Sequence, residues 1–231
     1  MKIAVVTALA GITQKTENSE LYPIEHDNAD YYVFTDNDNL EIPNGWKLRK
    51  LFPYFVDEQF RHRRACRFVK QLTHYLLPSY DYYIWHDSTH MVNENPVSIA
   101  ERLGDADMAF FEHPSQRGWD GEMLAASHRD HAGLGDFTLD YLNKLNIPKS
   151  LTLWETSSFI RKNNEKSNEC FTLWGDLLSK LTSRDQVTLP AAIHLTNPKV
   201  STLPGYCQNQ NGGNDILPQR ASSLHAQGYL K

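Results

Sequence analysis

Residues 80–92, YDYYIWHDSTHMV, run apolar and aromatic as far as Trp85 and then present His86, Asp87, Ser88, Thr89 and His90 in succession. A buried strand that ends in a carboxylate puts an oxygen ligand where a parallel sheet receives its ligands. A hard divalent cation, Mn2+ or Mg2+, takes such oxygens and can bridge a diphosphate. The preceding segment, RHRRACRFVK, spaces Arg63, Arg67 and Lys70 at i, i+4 and i+7 of a helix, so the three cations share one stripe. A solvated basic face is the ordinary account of such a stripe. Next to Asp87, the same stripe makes an anion cradle of guanidinium, ammonium and metal. ADYYVFTD ends likewise in an acid, Asp36, suited to a ribose or base.

A second group of polar residues lies further along. SRDQVTLP contains Asp185 and Gln186, a carboxylate and an amide that could orient a sugar, steady positive charge on its anomeric carbon or take a proton from an acceptor hydroxyl. Ser183 with Gln186 three residues on also reads as a capping box that starts a helix. EHPSQRGWDGE offers His113 and Glu122, and WETSSFIRK offers Glu155, as contacts for a sugar or acceptor; loop hydrogen bonding is their plainer role. Trp119 and Trp154 either stack on sugar faces or fill core.

These residues need a scaffold. β-rich runs near 3–9, 29–36, 80–87, 105–113 and 152–162 alternate with helical periods. The clearest helix covers 57–77, with Ala65, Phe68, Val69, Leu72 and Leu76 as its apolar face. A short one starts at Asn95 and Pro96, and others cover 136–146 and 168–182. This alternation predicts an α/β fold with a mainly parallel central sheet flanked by helices and ligands at the carboxyl ends of the strands. The 231 residues read as a single domain: a nucleotide-binding half (1–92), an acceptor and catalytic half (93–204) and a loop-like tail (205–231).

The formal charge of −5 excludes a generally basic nucleic-acid binder. Cys66, Cys170 and Cys207 are odd in number and far apart, which suits a reducing compartment. The opening MKIAVVTALAGI mimics a secretory signal but reads better as a buried first strand, and no stretch approaches the ~20 apolar residues of a membrane span. A cytoplasmic location is the expectation.

The order of a first strand, VFTD, CRFVK and YDYYIWHDST resembles the nucleotide-sugar half of GT-A-fold glycosyltransferases, whose metal-binding strand ends in DxD. CRFVKQLTHYLLPSYDYYIWHDS is especially similar to the glycosyltransferase-like domain family of plant mucilage and pectin proteins. EHPSQRGWDGE, WETSSFIRKNN and LWGDLLSKLTSRDQVTLP match its later segments in order, over roughly residues 30–195. The resemblance implies a metal-dependent transferase moving a sugar from a nucleoside-diphosphate sugar to a carbohydrate or other hydroxyl acceptor. It implies donor contacts from Thr7, Asp36, Arg63, Arg67 and Lys70, a metal on Asp87, and Asp185 with Gln186 in catalysis. The site departs from DxD, since Thr89 stands where the second acid belongs, so a neighbour such as His86 or His90, or a distant residue, must complete a metal shell. The closing HAQGYLK fits the HxxGxxK motif of glycogenin-like retaining transferases, which implies His225 as a metal ligand, Lys231 as a diphosphate contact and retention of configuration. A metal-dependent hydrolase using the same site, or a nucleotide- or carbohydrate-binding module without catalysis, are the alternatives; the missing second acid favours the latter.

Overall fold

The computed structural model describes residues 1–11, 21–51, 60–88, 90, 92, 94–113, 118–127 and 134–204. Within them the chain forms β1 (Ile3–Leu9), β2 (Asp30–Thr35), β3 (Trp46–Lys50), α1 (Arg61–Leu76), β4 (Tyr82–His86), α2 (Pro96–Arg102) and β5 (Met108–Glu112). There follow α3 (Gly118–Ser127), α4 (Leu134–Lys144), β6 (Trp154–Lys162), α5 (Glu165–Leu181), α6 (Asp185–Thr196) and β7 (Val200–Thr202). The strands make one sheet in the order β3-β2-β1-β4-β6-β5-β7. β1 pairs in parallel with β2 and β4, β2 with β3, and β5 with β7; β6 is the inverted strand, antiparallel to both β4 and β5. The expected α/β class and mainly parallel sheet are both present.

β1 is buried at every position, as a central strand covered on both faces must be. Ala4, Val6 and Ala8 join the core beneath α1 and α5, which includes Val69, Phe159, Phe171 and Trp174. Ile3, Val5 and Leu9 join the opposite core with Ile84, Ile99 and Phe111. β3 and β7, absent from the sequence reading, lie at the two edges of the sheet. In β3 (WKLRK) charged side chains interrupt the apolar pattern, which suits an edge that must not pair further.

Two helix starts follow local chemistry. Asn95 caps α2 by accepting a hydrogen bond from Val97 N at 2.9 Å with Pro96 in the first turn, as expected, and Asn164 caps α5 through Ser167 N at 2.9 Å. α6 does not follow the expected capping box. Its N-cap is Arg184, no side chain caps it, and the Ser183 hydroxyl instead accepts from Arg63 Nη1 at 3.0 Å. Among the described residues no helix is long and apolar enough to cross a membrane.

α1 corrects the sequence reading most sharply. Ala65 and Val69 face the core as expected, but Lys70, Gln71, Thr73 and His74 are buried with them, while Phe68 is 41% exposed and Leu76 37%. The helix is turned so that part of its basic stripe faces inward. A lysine in that position needs acceptors inside the protein.

At the other end of α1, His74 meets Arg161, a fully buried guanidinium held between the rings of Tyr83 (4.5 Å) and Phe171 (4.3 Å). Arg161 Nη2 lies 3.1 Å from His74 Nδ1, so that nitrogen accepts and Nε2 carries the proton toward Thr172 Oγ1 at 3.2 Å. Burial first, and the guanidinium second, pull the His74 pKa down to about 4, and burial lowers that of Arg161 to about 9. The unfolded chain, with an ordinary histidine near 6.5, therefore binds this proton first. The neutral imidazole supports full stability above about pH 6.5, and stability falls as pH drops toward about 4, by ~3 kcal/mol for the whole interval. Urea unfolding at stepped pH should show this loss, and His74→Gln should flatten it.

Candidate active site

The carboxyl ends of β1 and β4 and the first turns of α1 enclose an open cavity of about 260 Å3, walled by Ala8, Arg63, Cys66, Arg67, Trp85, Asp87 and Ser88. Asp87 directly follows β4, where its backbone N–H is fixed by Ser157 O at 2.7 Å, and its carboxylate accepts from the Trp85 indole at 2.9 Å. Two cations approach the same oxygen: Lys70 Nζ at 3.3 Å and Arg67 Nη1 at 3.7 Å. Both also reach Asp185 Oδ2, Lys70 Nζ at 2.6 Å and Arg67 Nε at 3.0 Å. Asp185 comes from the first turn of α6, whose N-terminal dipole favours its charge. Burial would raise both carboxyl groups, but Arg67 and Lys70 overcome it and hold them below the usual carboxylate range. Burial keeps the Cys66 thiol at about 11, so it is wall rather than nucleophile at neutral pH.

The next residue belongs to a second polar group. Gln186 Nε2 lies 3.4 Å from Glu155 Oε1, and Gln186 Oε1 accepts from Arg184 Nη2 at 3.2 Å. Arg184 Nη2 also pairs with Glu122 Oε1 at 3.1 Å. Glu155 Oε1 accepts from the backbone N–H of Thr156 and Ser157 and from the Ser157 hydroxyl at 2.7 Å, and its other oxygen is 3.8 Å from His113 Nε2. His113, Glu122, Glu155 and Gln186, distant in sequence, thus form one chain of contacts around Arg184. Asp185 and Gln186 join that chain to the cluster of Asp87, Lys70 and Arg67 across a single peptide bond.

Arg63, Arg67 and Asp87 share the cavity wall, and Asp185 pairs with Arg67. Lys70 and Asp185 are with them but do not wall the cavity; both side chains are buried beyond its wall. Thr7 is not brought to the cavity. It is buried in β1 on the face opposite Ala8, and among the described residues its hydroxyl has no hydrogen-bond partner. Asp36 is not in the cavity wall either. Its two oxygens accept from Gly11 N at 3.0 and 3.1 Å, and it pairs with His62 Nδ1 at 3.2 Å. Gly11 has φ +76°, and a Cβ there would stand 2.6 Å from the His62 ring, so Asp36 pins a turn that only glycine fits. Trp119 is core, donating to Val187 O at 2.8 Å, and Trp154 packs on Phe110. Arg184 was missed, although it stands beside Asp185 in SRDQ.

The sequence also assigned a divalent cation to Asp87 and His225. His225 and Lys231 lie outside the described residues. The described residues do not fit a metal. Asp87 is already counter-ion to Lys70 and Arg67, and no group of three or more His, Cys, Asp or Glu able to hold a metal converges among them. His86 is buried, lies edge-on to Trp46 and approaches the Asp87 carbonyl, not its carboxylate, through Nδ1 at 3.1 Å.

A family model described as "TOD1/MUCI70, glycosyltransferase-like domain" matches residues 45–205, well over half of the chain. No curated protein matches its sequence. Among solved structures, the chain is similar to the apo structure of WbbM, a bifunctional glycosyltransferase, at 14% identity and a TM-score of 0.49, over 88% of this chain and 39% of that one. It is also similar to the apo form of mouse xyloside xylosyltransferase 1, at 11% identity and a TM-score of 0.48, over 87% of this chain and 84% of that one. The chain thus spans 39% of the length of WbbM.

Proposed function

The chain belongs to the TOD1/MUCI70 glycosyltransferase-like domain family, and we propose that it moves a sugar from a nucleoside-diphosphate donor, UDP- or GDP-linked, to a hydroxyl of a carbohydrate or similar acceptor. The observation that carries this reading is the junction at Asp185 and Gln186: one residue is paired with the cations of the donor cavity and the next with the carboxylates of the second cluster. The diphosphate sits in the cavity against Arg63 and Arg67. The donor's bond between anomeric carbon and phosphate oxygen breaks with its electron pair leaving on the diphosphate. Positive charge grows on the ring, and the Asp185 carboxylate opposes it. The acceptor oxygen forms the new bond and yields its proton to a carboxylate of the group containing His113, Glu122 and Glu155.

Arg67 and Asp185 thereby form a donor-side unit, and Arg184 aligns Glu122 with Gln186 on the acceptor side. Retention of configuration, which the glycogenin-like ending implies, requires the acceptor oxygen to enter on the face the diphosphate leaves, and is read from the anomeric proton coupling of the product. Calorimetric screening of nucleotide sugars tests the donor half. Saturable binding of one UDP- or GDP-sugar is expected, and absence of binding by every nucleotide sugar in the screen would sink it. The acceptor half makes its own prediction. Glu155→Gln keeps the hydrogen bonds of the backbone donors but removes the charge, so donor affinity should stay unchanged while turnover falls by ~10²-fold. Equal loss of donor binding would move Glu155 to the donor side.

A further inference from the structure

Lys70 is the least expected member of the site. Its ammonium is fully buried, stands 2.6 Å from Asp185 Oδ2 and 3.3 Å from Asp87 Oδ1, and lies 5.4 Å over the Trp85 ring. It therefore bridges one carboxylate from the end of β4 and one from the start of α6, with a π face beneath it. That is the position a divalent cation takes when two carboxylates share it, and an ammonium with three donors serves the same oxygens. With Arg67 the group is two anions against two cations, already neutral. A divalent ion on Asp87 would add two positive charges to a place where Lys70 cannot leave without finding new acceptors.

We propose that the Lys70 ammonium is the resident cation of this site and that the nucleoside diphosphate binds without a divalent metal, its charge met by Arg63 and Arg67 in the cavity wall. This rests on the donor reading above and adds to it the identity of the cation. It also gives the buried face of α1 a purpose: Lys70 is drawn inward because the two carboxylates need it. Among the described residues the charges of Asp87 and Asp185 are balanced before any metal arrives.

The test is calorimetry of UDP and GDP with the full chain in EDTA and in excess Mn2+, together with the electron paramagnetic resonance signal of equimolar Mn2+. The expected result is one nucleotide bound with affinities differing by less than about threefold between the two conditions, and a Mn2+ signal that remains that of the free ion. Lys70→Met keeps the stem and removes the charge, leaving Asp87 and Asp185 to share a vacant place, and this variant should capture Mn2+. Binding that appears only with Mn2+ and is lost in Asp87→Asn would overturn the inference and leave the transferase reading standing. Absence of UDP and GDP binding in both conditions would overturn both. A folded Lys70→Met that captures no Mn2+ would also overturn the assignment, and if that variant does not fold the comparison on the natural chain decides.

Discussion

Asp185→Asn should lower the rate of sugar transfer by ~10²-fold or more while nucleoside-diphosphate affinity stays equal or rises, the loss usual for an electrostatic or general-base group. The sign of the binding effect follows from the ion pairs. Asp185 holds Arg67 Nε at 3.0 Å and Lys70 Nζ at 2.6 Å, so in the donor-free protein it competes with the diphosphate for the same cations. An asparagine still accepts a hydrogen bond from Lys70 but releases the charge. The variant should be less stable by ~1–3 kcal/mol, because the buried Lys70 and the partly exposed Arg67 then share the single charge of Asp87. Circular dichroism and urea unfolding would show that it remains folded. A variant with intact structure and natural turnover would return SRDQ to a purely structural role.

Arg67→Ala should act in the opposite place. It removes the guanidinium that walls the cavity and spans both carboxylates, so nucleoside-diphosphate affinity should fall by ~10- to 100-fold, the worth of a charge-assisted hydrogen bond of ~1.5–3 kcal/mol. Lys70 keeps Asp87 and Asp185 from being left without any counter-ion, which protects the fold. Raising ionic strength should weaken donor binding of the natural chain more than that of the variant, since one of the exposed attractive charges is gone. Equal affinity of the two proteins in calorimetry would place the diphosphate elsewhere.

Periodicity and strand-end acids made the α/β class, the strands at β1, β2, β4, β5 and β6, and the position of Asp87 readable in the sequence. Interactions between distant residues were not readable. The face of α1 that is buried depends on Lys70 meeting Asp185, which is 115 residues away, and a local apolar pattern of Phe68, Leu72 and Leu76 pointed to a different rotation. The capping box at Ser183 failed for the same reason, because Arg63, 120 residues earlier, takes its hydroxyl. β3 was hidden because an edge strand carries charges that look like loop. His113, Glu122, Glu155 and Gln186 were each named, but their union needed Arg184, whose only signal was a cation immediately before an acid and an amide.

The central claim is donor-dependent sugar transfer at Asp185. Its most direct measurement is release of nucleoside diphosphate from a panel of nucleotide sugars in the presence of mono- and oligosaccharide acceptors, comparing the natural chain with Asp185→Asn. The account predicts that one donor is turned over, that the sugar appears on the acceptor, and that Asp185→Asn reduces this by ~10²-fold or more. Equal rates for the two proteins, or sugar released only to water whatever the acceptor, would contradict it.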